Sequence, residues 1–240
     1  MSKHPPEENI YTAGQVILVN KPLHWTSFDV VKKIRNLTRS KVGHAGTLDP
    51  LATGLLICCT GKFTKRITEY QAQEKEYTGT FTIGAETPTY DLESEPRNFK
   101  DFSAVIHRQI LLTAEKFTGE LSQAPPAHSA VKKDGKPLYH SARKGVEVKV
   151  EPRTIFIKEF EITNTLLPQI HFRVVCSTGT YIRSLAFDFG NELGCGAYLS
   201  ALCRTRIGRF LLKDAYPMNS IEEVIKSNLL KTDSLPQNLK

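Results

Sequence analysis

One short stretch of this chain presents an acidic side chain from a segment suited to unusual backbone geometry. The segment is KVGHAGTLDPLATG, residues 41–54, with Asp49 near its centre. Its three glycines permit conformations that other residues avoid, and Pro50 stiffens the chain directly after the aspartate. It thus presents one carboxylate from a shaped loop, a group that can serve as a catalytic acid, base or nucleophile. The alternative is that Asp49 only starts a turn, as Asp-Pro pairs often do.

Two further side chains could take part in such chemistry. Arg183 follows Tyr181 in a segment whose apolar spacing predicts a helix from Tyr181 to Leu193. Its guanidinium is always charged and can bind a carboxylate bidentately, although an exposed helix position would explain it too. Tyr77 begins a strictly alternating stretch that ends at Ile83, which predicts a half-buried strand. A strand aromatic of this kind can also simply pack in the core.

The elements around these residues can be predicted from their patterns. The apolar residues Val16 to Val19 predict a short strand. Thr26 and Asp29 have the spacing of a capping box at a helix start. The helix that follows is expected to bury four apolar side chains. These are Phe28, Val31, Ile34 and Leu37. Residues 41–54 are too rich in Gly and Pro for a regular element, which makes them a predicted loop.

The remaining elements alternate irregularly between helix and strand. Helices are predicted near 64–71, 103–117 and 221–230, and strands near 55–59, 153–163, 169–177 and 198–207. Residues 125–145 are basic and turn-rich, and predict a protruding loop. Because regular βαβ alternation is missing, we expect an α+β domain on a mixed, largely antiparallel sheet flanked by helices and loops.

Composition narrows the class of protein. Lys and Arg exceed Asp and Glu by seven (32 against 25), which fits a polyanionic partner without requiring one. The five cysteines lack CxxC spacing and the seven histidines are scattered, so reduced core thiols are expected and a metal site is not. The N-terminal residues lack an apolar signal region, and no apolar run is long enough for a membrane span. A cytoplasmic protein is therefore predicted.

Three blocks of the sequence, in the same order, resemble the TruB family of pseudouridine synthases. They are GHAGTLDPLATGLL around Asp49, KEY ending at Tyr77, and the stretch CSTGTYIRSLAFDFGNELGCGAYLSALCRTRIG from Cys176 to Gly208. The similarity runs from about Val16 to Gly208. A shared N-terminal motif includes Lys21-Pro22 and Thr26-Ser27, but a glycine is expected where this chain has His24.

The resemblance implies a role for each matching residue. Asp49 would be the catalytic carboxylate, Arg183 its ionic partner, and Tyr77 the residue that stacks on the uracil and could take the C5 proton. The family mechanisms for the aspartate are attack at C1′, addition at C6 and removal of a ribose proton, and the sequence leaves all three open. The implied substrate-binding residues, besides Tyr77, are His44, Tyr181, Leu202 and Lys21.

The resemblance also implies the substrate and the domain plan. We expect isomerisation of uridine at position 55 in the T-arm stem-loop of tRNA, by a monomer without cofactor, metal or obligatory protein partner. The expected plan is a polar tail (1–13), a catalytic domain (14–215) with an insertion loop (125–145), and a short C-terminal helix and tail (216–240) without a PUA domain. The rivals are an RNA-binding or chaperone protein that has lost catalysis, and a synthase acting on another RNA.

Overall fold

A computed structural model describes residues 9–126, 132–133, 136–137 and 151–233. The chain divides into two compact units, one made of residues 1–73 and 203–240 and the other of residues 74–202. Helices and mainly antiparallel strands occur in both units, so the predicted α+β class is confirmed. None of the described helices is long and apolar enough to cross a lipid bilayer.

Six helices and twelve strands make up the described part of the chain. The helices are α1 (Ile10–Ala13), α2 (Ser27–Thr38), α3 (Ile67–Gln71), α4 (His107–Lys116), α5 (Ile182–Glu192) and α6 (Ile221–Asp233), with 3-10 turns at Gly61–Arg66 and Leu212–Asp214. The strands are β1 (Val16–Lys21), β2 (Val42–His44), β3 (Ala52–Thr60), β4 (Lys75–Ile83), β5 (Gly119–Gln123), β6 (Lys132–Lys133), β7 (Lys136–Pro137), β8 (Arg153–Leu166), β9 (Gln169–Cys176), β10 (Ala197–Ile207), β11 (Phe210–Leu211) and β12 (Tyr216–Pro217). The predicted tail 1–13 includes α1, and the predicted basic loop 125–145 lies largely outside the described residues.

The first unit is built around strand β3. Both β1 and β2 pair with β3 in antiparallel orientation, and β12 pairs with β1 in parallel. Nearly every residue of β3 is buried, as expected of an apolar strand covered on both faces. Helices α2 and α6 pack on this sheet through a shared cluster that includes Val30, Ile34, Ile221 and Ile225.

Helix α2 starts where the sequence predicts and buries Val31 and Ile34 as predicted, but it does not bury Phe28. The Thr26 hydroxyl accepts from the Asp29 amide (3.0 Å) and the Asp29 carboxylate accepts from the Thr26 amide (2.9 Å), which confirms the capping box. The predicted burial of Phe28 is wrong, because its side chain is 60% exposed. Val30 is buried in its place, and the two-residue step to Phe28 is a turn of about 200° around the helix axis.

The second unit is an antiparallel sheet with an aromatic core. Its strands follow the order β4-β9-β8-β5, and Ser200 of β10 donates from its hydroxyl to the Thr80 carbonyl of β4 (3.1 Å). Phe81 of β4 contacts the rings of Phe172 and Phe189, with centroids 4.2 and 5.4 Å away. Helix α5 thereby packs on the sheet through Phe189, and its predicted extent is confirmed within one residue at each end.

Helix α4 begins later than the sequence predicts. Its predicted start at residue 103 is wrong, because the first helical residue is His107. Ser103 is held by Asp101 instead, through its amide (2.9 Å) and its hydroxyl (2.7 Å). The Gln109 side chain accepts from the Ile106 amide (3.0 Å) and so fixes the helix start at that point.

All five cysteines are free thiols, and they differ in exposure. Cys58, Cys59, Cys176 and Cys195 are buried, whereas Cys203 is half-buried. Burial raises the pKa of Cys59 and the pKa of Cys176 to about 11 each. Since thiolates are the reactive form, these two side chains behave as small apolar groups of the core.

Candidate active site

The segment around Asp49 is more regular than predicted. The expectation of a loop over the whole range 41–54 is wrong, because β2 occupies Val42–His44 and β3 begins at Ala52. Pairing with β3 imposes extended geometry at both ends despite the glycines. What remains is a connection of residues 45–51, called the aspartate loop from here on. Asp49 is half-buried in this loop, and its carbonyl accepts from the Ala52 amide (3.0 Å).

A buried hydroxyl at the start of α2 holds the aspartate loop. The Leu48 amide donates to Ser27 Oγ (2.9 Å), and Ser27 Oγ donates to the Leu48 carbonyl (3.2 Å). Both residues are almost fully buried. The position of the residue before Asp49 is therefore fixed by the first residue of a capped helix.

A buried arginine ties the start of the aspartate loop to strand β3. Arg204, 1% exposed, donates from Nε to the Leu55 carbonyl (2.8 Å) and from Nη2 to the Gly46 carbonyl (3.0 Å). A guanidinium suits this position because its planar fork satisfies several acceptors at once. Gly54 is required here, since a Cβ on it would lie 2.4 Å from the Arg204 carbonyl oxygen, and its φ is +104°.

Lys21 is buried beside the same loop. Its ammonium donates to the carbonyls of Trp25 (2.5 Å), Pro22 (3.1 Å) and Pro50 (3.4 Å). Burial lowers its pKa to about 8, while the negative charge of Asp49 opposes that shift. Lys21 thus holds the residue after Asp49, and its predicted contact with substrate stays a prediction.

His44 ends strand β2 just before the aspartate loop. Its pKa is lowered, first by burial and then by the charge of Arg204, while a hydrogen bond with the Gly46 backbone opposes the shift. The ring is therefore neutral at pH 7. Its Nδ1 atom is buried and has no hydrogen-bond partner among the residues that the structure describes. A neutral ring is suited to stacking against a base.

In the second unit, Arg183 lies in the first turn of α5 and faces an acidic residue that the sequence analysis missed. Its Nε lies 3.7 Å from Asp91 Oδ2, and its Nη1 lies 3.4 Å from the Thr89 carbonyl. Arg183 and Asp91 are 4% and 3% exposed, so this ion pair is almost fully desolvated. The predicted pairing of Arg183 with Asp49 joins residues of different units and stays a prediction.

Asp91 is fixed by a tight local turn. Its Oδ1 accepts from the Glu93 amide (3.0 Å), and its carbonyl accepts from the Thr89 hydroxyl (3.1 Å). Ser94 Oγ in turn accepts from the Thr89 amide (3.1 Å). No periodic pattern marks this segment in the sequence; its clustered Thr, Asp and Ser residues were the available signal.

The three other predicted residues of the second unit sit at ordered positions. Tyr77 is 9% exposed in β4 and lies opposite Val174 of β9. Tyr181 caps α5, and Gln123 binds its amide (2.8 Å) and its carbonyl (3.1 Å). The Arg153 guanidinium lies over the Tyr181 ring in a cation–π contact, with its carbon 5.0 Å from the ring centroid. Leu202 is half-buried in β10.

No three His, Cys, Asp or Glu side chains cluster as a metal site within the described ranges. The first unit instead places the Asp49 carboxylate near the cation of Lys21. The second unit holds the desolvated Arg183–Asp91 ion pair, with aromatic residues close to both in the chain. Such groups can stabilise charge and move protons without a redox centre.

Comparison with known proteins gives consistent matches. Residues 32–182 match the family model described as TruB family pseudouridylate synthase (N terminal domain). A tRNA pseudouridine synthase B of Flavobacterium johnsoniae is 52% identical over 229 residues, which cover 92% of this chain and 99% of that protein. The protein of the same name from Parabacteroides distasonis is 45% identical, with 93% of this chain and 98% of that protein covered.

A solved structure shares the fold. A chain in the crystal structure of a Cbf5-Nop10-Gar1 complex superposes with a TM-score of 0.72 at 29% identity. The match covers 98% of this chain and 60% of that longer chain, so this chain spans less than two thirds of its structural neighbour.

Proposed function

The chain belongs to the TruB family of pseudouridylate synthases, and from this we propose that it isomerises uridine 55 in the T-loop of tRNA. The substrate assignment is supported by the 52% identity to a tRNA pseudouridine synthase B over 99% of that protein's length. RNA of this kind is recognised by its shape, its phosphates and bases splayed from a loop. The target nucleotide must leave its stack to be reached.

The reaction breaks the N1–C1′ bond, rotates the uracil and rejoins it through C5. Atoms and electrons balance within the nucleotide, and one proton leaves C5 while N1 gains one. We assign the carboxylate work to Asp49, by attack at C1′, by addition at C6 or by removal of a ribose proton. The contacts of Ser27, Lys21 and Arg204 support this assignment because they hold the loop that carries Asp49.

Arg183 and Tyr77 complete the proposed chemistry. We assign Arg183 as the cation that keeps the Asp49 carboxylate ionised, with Asp91 holding the guanidinium from within the second unit. Tyr77 stacks on the detached uracil and takes the C5 proton. His44, Tyr181 and Leu202 form the remaining contacts to the substrate, and the buried Lys21 acts on it through the aspartate loop that it holds. Orientation and charge stabilisation of this kind need no external reactant.

We further propose that the enzyme works as a cytoplasmic monomer on the T-arm alone. The relatives named tRNA pseudouridine synthase B match it over nearly their whole length, which supports action by a single chain. The structural neighbour comes from a complex with Nop10 and Gar1. A synthase that depends on protein partners is the competing model, and a T-arm hairpin with purified protein separates the two.

The test uses a T-arm hairpin carrying uridine tritiated at C5. Purified protein should release tritium and leave pseudouridine at position 55. Asp49→Asn should abolish release yet bind the hairpin within about tenfold of the parent chain, or roughly 1.4 kcal/mol. Asp101→Asn, an exposed loop position, serves as the matched control and should keep full activity. Near-normal release by the Asp49 variant would refute the assignment, and tight binding without any turnover by the parent chain would favour an RNA-binding protein.

A further inference from the structure

An open cavity of about 460 Å³ lies on the exposed side of α2, in the first unit. None of the predicted site residues lines it. Its lining residues are His24, Trp25, Asp29, Lys32, Lys33, Asn36 and Leu37. The volume falls within the range of small-molecule sites in proteins, roughly 300–1,000 Å³.

The lining combines cationic and aromatic groups on one face. Asp29, Lys32, Lys33 and Asn36 are spaced by three or four residues, so they share one side of α2. Within the described residues, no ion pair joins Lys32 or Lys33 to a carboxylate. The Asp29 carboxylate is engaged in the helix cap with Thr26. The net charge presented to a ligand is therefore positive.

The aromatic wall of the cavity is attached to the aspartate loop. The His24 amide donates to the Pro50 carbonyl (2.8 Å), and Lys21 binds the Trp25 carbonyl. His24 adopts φ +64°, a left-handed conformation that L-residues rarely take, and a glycine is the residue expected there. This chain thus holds an exposed imidazole in strained backbone directly at the cavity rim.

We propose that this cavity binds one unpaired nucleotide of the RNA substrate, at a site separate from that of the target uridine. The Trp25 and His24 rings stack on its base, and the Lys32 and Lys33 ammonium groups bind its phosphate. Stacking on aromatic rings beside a basic groove is how proteins bind single-stranded RNA. The proposal rests on the RNA substrate proposed above, and the attachment to Pro50 links the occupant to the loop that carries Asp49.

The chain provides its own probe of this cavity, because Trp25 is its one tryptophan. Titration with the T-arm hairpin should quench the intrinsic fluorescence as a base stacks on the indole. Polyglutamate at the same charge concentration should leave the fluorescence unchanged. Equal quenching by polyglutamate would overturn the proposal in favour of a site for acidic proteins.

The kinetics of two double variants distinguish binding in the cavity from a general attraction of the RNA to positive charge. Lys32→Ala with Lys33→Ala should raise KM for the hairpin about tenfold and leave kcat within twofold. The control is Lys116→Ala with Lys158→Ala, which removes two exposed charges already paired with Glu192 and Glu74. That control should change KM by less than about twofold. Equal effects of both double variants would contradict a defined subsite.

A third variant is safe for folding. His24→Gly removes the ring and relieves the left-handed strain, so its melting temperature should not fall while KM rises about threefold. An unchanged KM in this stably folded variant would exclude stacking by His24. If the parent chain makes pseudouridine but the hairpin does not quench its tryptophan fluorescence, the subsite is overturned and the proposed function stands. Absence of pseudouridine from the parent chain would instead reject the proposed function.

Discussion

At the scale of single residues, the feature that needs explanation is the concentration of buried cations near the aspartate loop. Lys21 is fully buried with a pKa lowered to about 8, and Arg204 is 1% exposed. Burying a charge is costly unless acceptors and opposite charge compensate it. Backbone carbonyls supply the acceptors, and the negative charge of Asp49 stabilises the charged form of Lys21. The loop and its cations therefore stabilise one another.

The buried Arg183–Asp91 pair leads to a prediction about turnover. Asp91→Asn removes a charge from a desolvated ion pair, so Arg183 loses its orientation, and kcat should fall at least tenfold with KM little changed. Arg183→Lys keeps the positive charge but lacks the planar fork, and should reduce kcat as severely. Tritium release at saturating hairpin measures both. Normal kcat in Asp91→Asn, with an unchanged melting temperature, would show that Asp91 has no part in positioning Arg183.

Residue roles were predictable where a local motif carries them and not where contacts span the chain. The capping pair Thr26–Asp29 could be identified from two residues three positions apart, whereas the catalytic role of Asp49 stays a prediction. Arg204, by contrast, binds Leu55 at a separation of 149 positions. Asp91 lies in an irregular turn far from Arg183 in sequence. Nothing local distinguishes such residues from ordinary surface charges.

At the scale of elements, the aspartate loop depends on a close approach between Gly54 and Arg204. Gly54→Ala adds backbone strain and a Cβ 2.4 Å from a carbonyl oxygen, and should destabilise the fold by roughly 3–5 kcal/mol. Gly119→Ala is the matched control, since its φ is +100° with open space around the new Cβ. It should cost only about 1–2 kcal/mol. Thermal melts measure the difference, and equal losses would mean that the close contact relaxes freely.

Some helix and strand boundaries were predicted well from the sequence and others were not. Helices α2, α5 and α6 begin within one residue of prediction, because caps and apolar spacing are local properties. The loop at 41–54 was overestimated, since partners in β3 convert its ends to strand. Phe28 was misplaced because the spacing of Val31 and Ile34 gives the centre of the buried stripe but not its width, and Phe28 lies beyond its edge.

At the scale of the whole molecule, the excess of seven positive charges predicts binding governed by phosphate contacts. Each contact contributes a slope of about −0.7 to −0.9 to log affinity against log salt. Affinity for the hairpin should drop at least about thirtyfold between 50 and 200 mM salt, a slope steeper than about −2.5. Filter binding measures this. A flat response would mean that uncharged contacts dominate recognition.

The unequal burial of the five thiols has a practical consequence for labelling chemistry. In the native fold we expect a maleimide to react first at the half-buried Cys203, because the other four cysteines are buried. A single dye could thus be attached next to Leu202 without engineering away any cysteine. The four shielded sulfurs would become reactive only as their own unit opens, so the sites of modification would record which part of the chain unfolds first.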